Sequence, residues 1–286
     1  MIEAKIIKDS VHAYGPRLTT FVLKYPRYIH SQVMTHRVFS RNAASSRAIP
    51  TARLIELVEK EPAIPVYWGK NKAGMQSNEE LSADQIQACR ESWLQARDNA
   101  VLSAKQMNQQ GLHKEICNRV LEPFQHIEVV LTGTDWANFY KLRAHKDAQH
   151  EIQELALKMK AAHKESIPRI LRAGEWHLPF ITDQEENSLT TEILLKTSTA
   201  RCARVSYLKH DKTFATFEED LALYDKLMSG AHIHASPAEH QAQVPSETDF
   251  ATSNLRGWYQ YRKVIESRIY GQEQADPRST EEDVDL

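Results

Sequence analysis

The chain alternates between short stretches dense in branched and aromatic residues and longer ones in which apolar side chains return every third or fourth position. Residues 19–25 (TTFVLKY) are of the first kind and predict a strand, stopped by Pro26. A helical segment follows over 28–37, with Ile29, Val33 and Arg37 near one face. Residues 40–50 (SRNAASSRAIP) have no apolar period and read as a structured loop. From 82 to 110 the spacing of Ile86, Cys89, Trp93, Ala96, Ala100 and Met107 predicts one long helix, opened by a Ser82/Gln85 capping box and closed by Gly111. Residues 126–131 (HIEVVL) predict another strand, and Asp135 is placed to cap a helix beginning WANFYKLR. Ala148, Ile152, Leu155, Met159 and Ala162 form the apolar stripe of a helix that ends before Pro168. Residues 191–207 are helical at first, and 214–228 carry Phe217, Leu221, Tyr224 and Met228 at helical spacing, with Gly230 as a stop. The predicted fold class is α+β: a single helix-rich domain over 1–272 around a small, mostly antiparallel sheet, followed by a loose acidic tail at 273–286.

Composition narrows the function classes. No apolar run approaches the ~20 residues that a membrane helix needs, so no membrane span is expected. The N-terminal residues lack the basic start and apolar middle of a signal peptide, which points to the cytoplasm. Lys and Arg (36) nearly balance Asp and Glu (38), and a net charge of -2 gives no global field favouring nucleic acid or an anionic membrane. Any anion must then be held by a local cluster. The three cysteines, Cys89, Cys117 and Cys202, lack C-x-x-C spacing, which argues for reduced thiols rather than a disulfide framework or a structural zinc. Cys89 and Cys117 have helix-spaced apolar neighbours and read as packing residues.

His36, Arg37, Ser40, Arg41, Asn42, Ser45, Ser46 and Arg47 place three guanidiniums and three hydroxyls within a dozen positions. Arg forks and hydroxyls match phosphate geometry, although a solvated polar loop has the same composition. Asn138, Arg143, Gln149 and Glu151 form a second polar group, in which Arg143 and Asp147, four apart, suit a surface ion pair. His232, His234 and His240 invite a metal reading, but H-x-H-x5-H is no established ligand spacing, and no metal is expected.

These strings together resemble a known family. HRVFSRNAASSR fits H-R-x7-S, the signature of the flavin-dependent thymidylate synthases, which usually reads R-H-R-x7-S with N-E-x-S inside it. NFYKLRAHKDAQHEIQ resembles the family's N-F-x-x-x-R-x-x-x-x-A-Q-x-E-I segment, ARVSY its A-R-V-S-Y/F, and SPAEH its S/T-P-F-E-H. In typical members the last two precede H-R-x7-S, whereas here they lie far downstream, so the chain resembles a circular permutation of the family domain, which is tolerable where the old termini lie close together. Residues 52–80, 176–188 and 273–286 have no counterpart.

The resemblance implies a homotetramer that binds FAD at subunit junctions and converts dUMP to dTMP, with methylenetetrahydrofolate supplying the carbon and NADPH the reducing equivalents. Carried over by motif, His36, Arg37, Asn138, Ser206 and His240 would contact FAD, and Gln32, Ser45, Arg47 and Arg143 would hold dUMP. Arg119, in NRVLEP against the family's A-R-x-x-L-P, would reach its phosphate. Arg143 and Ser45 are the catalytic candidates: Arg143 would stabilise charge developing on the pyrimidine, and the Ser45 region would fix the phosphate so that C5 is presented for reaction. Four positions depart from the pattern: Thr35 for the first Arg of R-H-R, Ala43 for the Glu of N-E-x-S, Ala238 for Phe, and Asp147 for a common His. These departures keep open a hydroxymethyl product, a dCMP substrate, or a noncatalytic nucleotide-binding relative.

Overall fold

The computed structural model describes residues 1–13, 15–205, 213, 215–228, 233–246 and 253–273, with side chains through 268. Among these residues the strands are β1 (Glu3–His12), β2 (Gly15–Pro26), β3 (Ser40–Ala43), β4 (His126–Gly133), β5 (Arg169–Ile170), β6 (Trp176–His177), β7 (Ala242–Gln243) and β8 (Tyr259–Gln260). The helices are α1 (His30–Met34), α2 (Thr51–Lys60), α3 (Ala83–Gln109), α4 (Lys114–Cys117), α5 (Ala137–Arg143), α6 (His150–Glu165), α7 (Asp183–Ser188), α8 (Thr191–Arg204), α9 (Phe217–Met228) and α10 (Tyr261–Glu273). The α+β class expected from sequence is the class observed. None of the described helices is long and apolar enough to cross a membrane.

The main sheet has the order β3-β4-β2-β1-β5 and is antiparallel except for the β1/β5 pair. Alternation along β2 and β4 decides its two faces. Phe21, Leu23 and Tyr25 stand opposite Leu131, Val129 and Ile127, and this face packs on Trp136 and Phe139 of the α5 region and on Ile152, Leu155 and Met159 of α6. On the other face Val130 meets Phe180, Cys202 and Val205 from the part of the chain beyond β5. Burial on both faces explains why these two strands read as nearly continuous apolar runs.

Smaller cores complete the fold. Leu54 and Val58 of α2 and Val101 and Ala104 of α3 pack with Leu121 and Phe124 of a 3-10 segment, Asn118–Phe124. The predicted Ser82/Gln85 capping box opens α3, and Gly111, at φ 80°, follows its end. In the C-terminal third, Leu194, Leu195 and Ala200 of α8, Tyr224 of α9 and Tyr261 and Ile265 of α10 form a cluster that also buries Ala238. The Ala at this departure therefore sits where side chains from three helices converge.

Four local expectations change. The helical segment expected over 28–37 is a 3-10 turn, Arg27–Ile29, followed by α1, which ends at Met34, so Arg37 lies in the turn beyond it. Residues 40–43 are not loop but an edge strand, with Ser40 opposite Thr132 and Ala43 opposite Val129. Backbone pairing with β4 and polar side-chain bonds from Ser40, Arg41 and Asn42 hold this strand, and a hydropathy pattern carries no trace of either. Asp135 does not cap α5, whose N-cap is Trp136 with no side-chain cap; its carboxylate instead accepts from Arg256 Nη2 at 2.7 Å and from Thr134 Oγ1. The Arg143–Asp147 pair does not form, because α5 ends at Arg143 and Asp147 lies beyond it, against His145. The expected tail, from 274 onward, and the stop at Gly230 lie outside the described residues.

Candidate active site

α1 ends at Met34, and the chain turns through His36–Phe39 before entering β3. The turn is closed by His36 N donating to Val33 O and Phe39 N donating to His36 O. Arg41 braces it from the strand, donating through Nη1 to Met34 O (2.8 Å) and to His36 O (3.3 Å). Phe39 anchors the turn by stacking on Trp136, with centroids 4.5 Å apart and planes at 26°. This approach requires Gly133, since a Cβ there would lie 2.6 Å from the Phe39 ring.

The end of α5 meets this turn. Arg143 Nε donates to His36 Nε2 at 3.0 Å, and its Nη2 donates to Thr35 Oγ1 at 3.3 Å. His36 is buried, edge-on to Phe139 at 4.9 Å. Burial, followed by the adjacent Arg143 guanidinium, pushes its pKa down, so the ring is neutral and accepts at Nε2. Thr35 also donates to Gln32 O at 2.7 Å. Gln32 Nε2 donates to Gln149 Oε1, and Gln149 Nε2 in turn donates to Glu151 at 2.9 Å. Glu151 is buried and also accepts from Val66 N (3.0 Å) and Tyr28 OH (3.2 Å). Gln32, Thr35, His36 and Arg143 are thus one hydrogen-bonded group. Arg37 and Asn138 are exposed beside it, and Arg37 has no ion-pair partner among the described residues.

A second group forms where the loop after β3 meets the segment before β4. Ser45 and Arg47 are exposed, and Arg47 reaches Glu115 at 3.3 Å. Arg119 is exposed and pairs with Glu122 at 2.8 Å. Burial pushes the Glu122 pKa up, but the Ser46 hydrogen bond, Arg27 and Arg119 outweigh it and hold the carboxyl below its ordinary value.

The C-terminal motifs lie against β3 and β4. Ser236 Oγ donates to Asn42 Oδ1 at 3.0 Å, and Asn42 Nδ2 donates to Cys202 O of α8 at 3.0 Å. His240 is fully buried, with Nδ1 2.7 Å from Thr132 Oγ1. It stands behind the sheet and offers no surface for a cofactor. Ser206 and His232 lie outside the described residues. Among the described residues no three metal-ligating side chains gather. Val205, which ends α8, has φ 64°, unusual for a β-branched residue, and is held there by burial against Val130 and Phe180.

Residues 18–169, just over half of the chain, match the family described as thymidylate synthase complementing protein. The chain belongs to this family. The matched region holds the turn, the Arg143 helix and the Arg119 segment, whereas the ARVSY and SPAEH strings fall outside it. No curated protein matches the chain significantly. Among solved structures, the fold is similar to that of a UMP/dUMP methylase, PolB from Streptomyces cacaoi, bound with 5-Br UMP, at 18% identity over 58% of this chain and 89% of that one, TM-score 0.50. The same methylase bound with 5-Br dUMP aligns at 17% identity over 58% and 90%, TM-score 0.48.

Against the pattern of thymidylate synthase complementing proteins, Thr35 stands where a cation is usual, and it supplies the oxygen that receives Arg143. Asn118 and Glu122, set between the site segments, were not visible as site residues in the sequence. A polar Asn118 beside Cys117 and Leu121, which are both buried, is the one signal that could have marked that turn.

Proposed function

We propose that this protein transfers a one-carbon unit to C5 of a pyrimidine deoxynucleotide, most simply dUMP to dTMP, using FAD, methylenetetrahydrofolate and NADPH, as a homotetramer. The observation that carries this reading is the Arg143–His36–Thr35 contact, which joins the H-R-x7-S turn to the N-F-x-x-x-R helix. With Nε and Nη2 engaged, Arg143 keeps Nη1, which has no partner among the described residues, for a ligand. A guanidinium fixed in this way would stabilise negative charge developing on a pyrimidine carbonyl or N3 as C5 becomes nucleophilic. The neutral His36 ring leaves the full charge of Arg143 for the substrate, and Gln32 presents an amide beside it. Ser45, Arg47 and Arg119 would hold the nucleotide phosphate at the other end, fixing which atom faces the reacting carbon. The likeness to a UMP/dUMP methylase is consistent with such a ligand.

For FAD, the exposed Arg37 guanidinium, unpaired among the described residues, and the exposed Asn138 amide beside His36 suit an anionic, hydrogen-bonding cofactor, and these residues would hold it. Flavin, once bound, supplies the hydride and carbon chemistry, and the chain's residues bind, orient and exclude water. His240 supports β4 from behind. A permuted order is supported by Ser236 of the SPAEH string and Cys202, which directly precedes the ARVSY string, both hydrogen-bonding Asn42 of β3.

The test is mass spectrometry of the nucleotide after anaerobic incubation of FAD-loaded protein with NADPH, methylenetetrahydrofolate and equal dUMP and dCMP. A methyl gain on dUMP is the expected result. A hydroxymethyl product, or modification of dCMP, would make Thr35 and Ala43 marks of a diverted reaction. Bound flavin without product would indicate a noncatalytic relative.

A further inference from the structure

Residues 45–49, which connect β3 to α2, form a turn closed by Ala48 N donating to Ser45 O at 3.0 Å. The segment 114–122 ties this turn down at several points. Asn118, fully buried, donates through Nδ2 to both Ser46 O (2.7 Å) and Ile49 O (2.9 Å). Lys114 Nζ donates to Ala48 O at 3.1 Å. Ser46 Oγ donates to Glu122 Oε1 at 2.8 Å, and the same oxygen receives Arg119 (2.8 Å) and Arg27 (3.0 Å). Ser45 and Arg47 on the loop and Arg119 on the 3-10 segment are therefore fixed relative to one another before any ligand arrives.

The charges point to the ligand's chemistry. Among the described residues, Arg27, Arg47, Lys114 and Arg119 meet the carboxylates of Glu115 and Glu122 here, which leaves two positive charges in excess around the loop. A phosphomonoester dianion offsets that excess, and a bare nucleoside does not.

We propose that Asn118 and Glu122 are positioning residues that preform a phosphate cradle from Ser45, Arg47 and Arg119, selecting a nucleoside monophosphate over the nucleoside. This rests on the nucleotide reading above. Asn118 acts through loop geometry: without its two donors the loop must be ordered by the ligand, which lowers affinity. Glu122 acts both through geometry, which favours the ligand, and as a negative charge that cancels part of the cations' pull on it. Its removal mixes opposing effects, so Asn118 and Ser46 carry the test.

The experiment is isothermal titration of dUMP, UMP, dCMP, inorganic phosphate and deoxyuridine into the full-length, flavin-loaded protein and its Asn118→Ala and Ser46→Ala variants, with melting temperatures as a check on folding. Asn118→Ala weakens dUMP and inorganic phosphate about tenfold and Ser46→Ala about threefold, while deoxyuridine changes less than twofold. In turnover the loss falls on KM and not on kcat, as for an interaction equal in ground and transition states. Equal losses for nucleotide and nucleoside, or unchanged affinity in Ser46→Ala should Asn118→Ala fail to fold, would overturn the proposal alone. Wild-type protein that binds none of dUMP, UMP and dCMP would overturn the nucleotide reading and this proposal with it.

Discussion

His240 and His177 stand in one buried hydrogen-bond chain that crosses the main sheet. It runs from Ser10 Oγ to His177 Nδ1 (2.8 Å), from His177 Nε2 to Thr20 Oγ1 (2.8 Å), on to Thr132 Oγ1 (2.7 Å) and to His240 Nδ1 (2.7 Å). His240 Nε2 is buried with no partner among the described residues. A protonated ring would leave a charged N–H unpaired there, so burial pushes the His240 pKa down from 6.5 to about 3. His177 is lowered too, first by burial and then by Lys8 and His240. The unfolded ring takes up a proton near pH 6.5 and the native ring does not, so this stability is present above pH 6.5 and lost as pH falls. At pH 5.5 the unfolded ring is about nine-tenths protonated, and His240 alone contributes a slope of about 1.2 kcal/mol per pH unit. His240→Asn keeps a polar atom for Thr132 and removes the titration. Urea unfolding followed by circular dichroism between pH 7 and pH 5 should show that slope, at pH 5.5, reduced by about 1.2 kcal/mol per pH unit in the variant. A slope equal to that of wild type would refute a neutral native His240.

Asp220 is fully buried between Arg201 Nε, at 3.0 Å, and Arg204. Asp220→Ala takes the shared carboxylate from Arg204, which keeps a bond to Glu219 O, and from Arg201, which keeps Glu185, and should lower stability by about 3 kcal/mol in urea titrations, whereas a loss below about 1 kcal/mol would contradict that burial. Arg143→Ala should cut nucleotide turnover by at least about 100-fold with little change in melting temperature, since the residue closes a short helix and lies outside the apolar cores. Near-normal turnover would remove Arg143 from the site.

Legibility followed the range of the interactions. The α3 capping box, the α6 stripe and strands β2 and β4 are written in local spacing and were readable. The turn and the Arg143 helix were readable as motif strings, but that Arg143 binds His36 was not, because 107 positions separate them. Strand β3 was hidden because its pairing with β4 is a backbone matter. Asp135 looked like a cap because its partner, Arg256, lies 121 positions away. Asn118 and Glu122 escaped notice because their value lies in the carbonyls and hydroxyl of a distant loop. His240 was legible as a motif residue, while its burial behind β4 was set by a second segment folding across the sheet.

The order of the main sheet bears on how much of the chain can stand alone. The stretch that carries the family match begins at residue 18, inside β2, and so excludes β1, which pairs along almost the whole length of β2. It also excludes the 3-10 segment Ser236–Glu239, which lies beside β3 at the opposite rim. Excised, that stretch would present bare hydrogen-bonding groups on both outer strands, the arrangement that invites other chains to add themselves edge to edge. The recognisable half of this protein is therefore not a portable module: both ends of the chain serve as its selvedge, and dissection experiments should keep them.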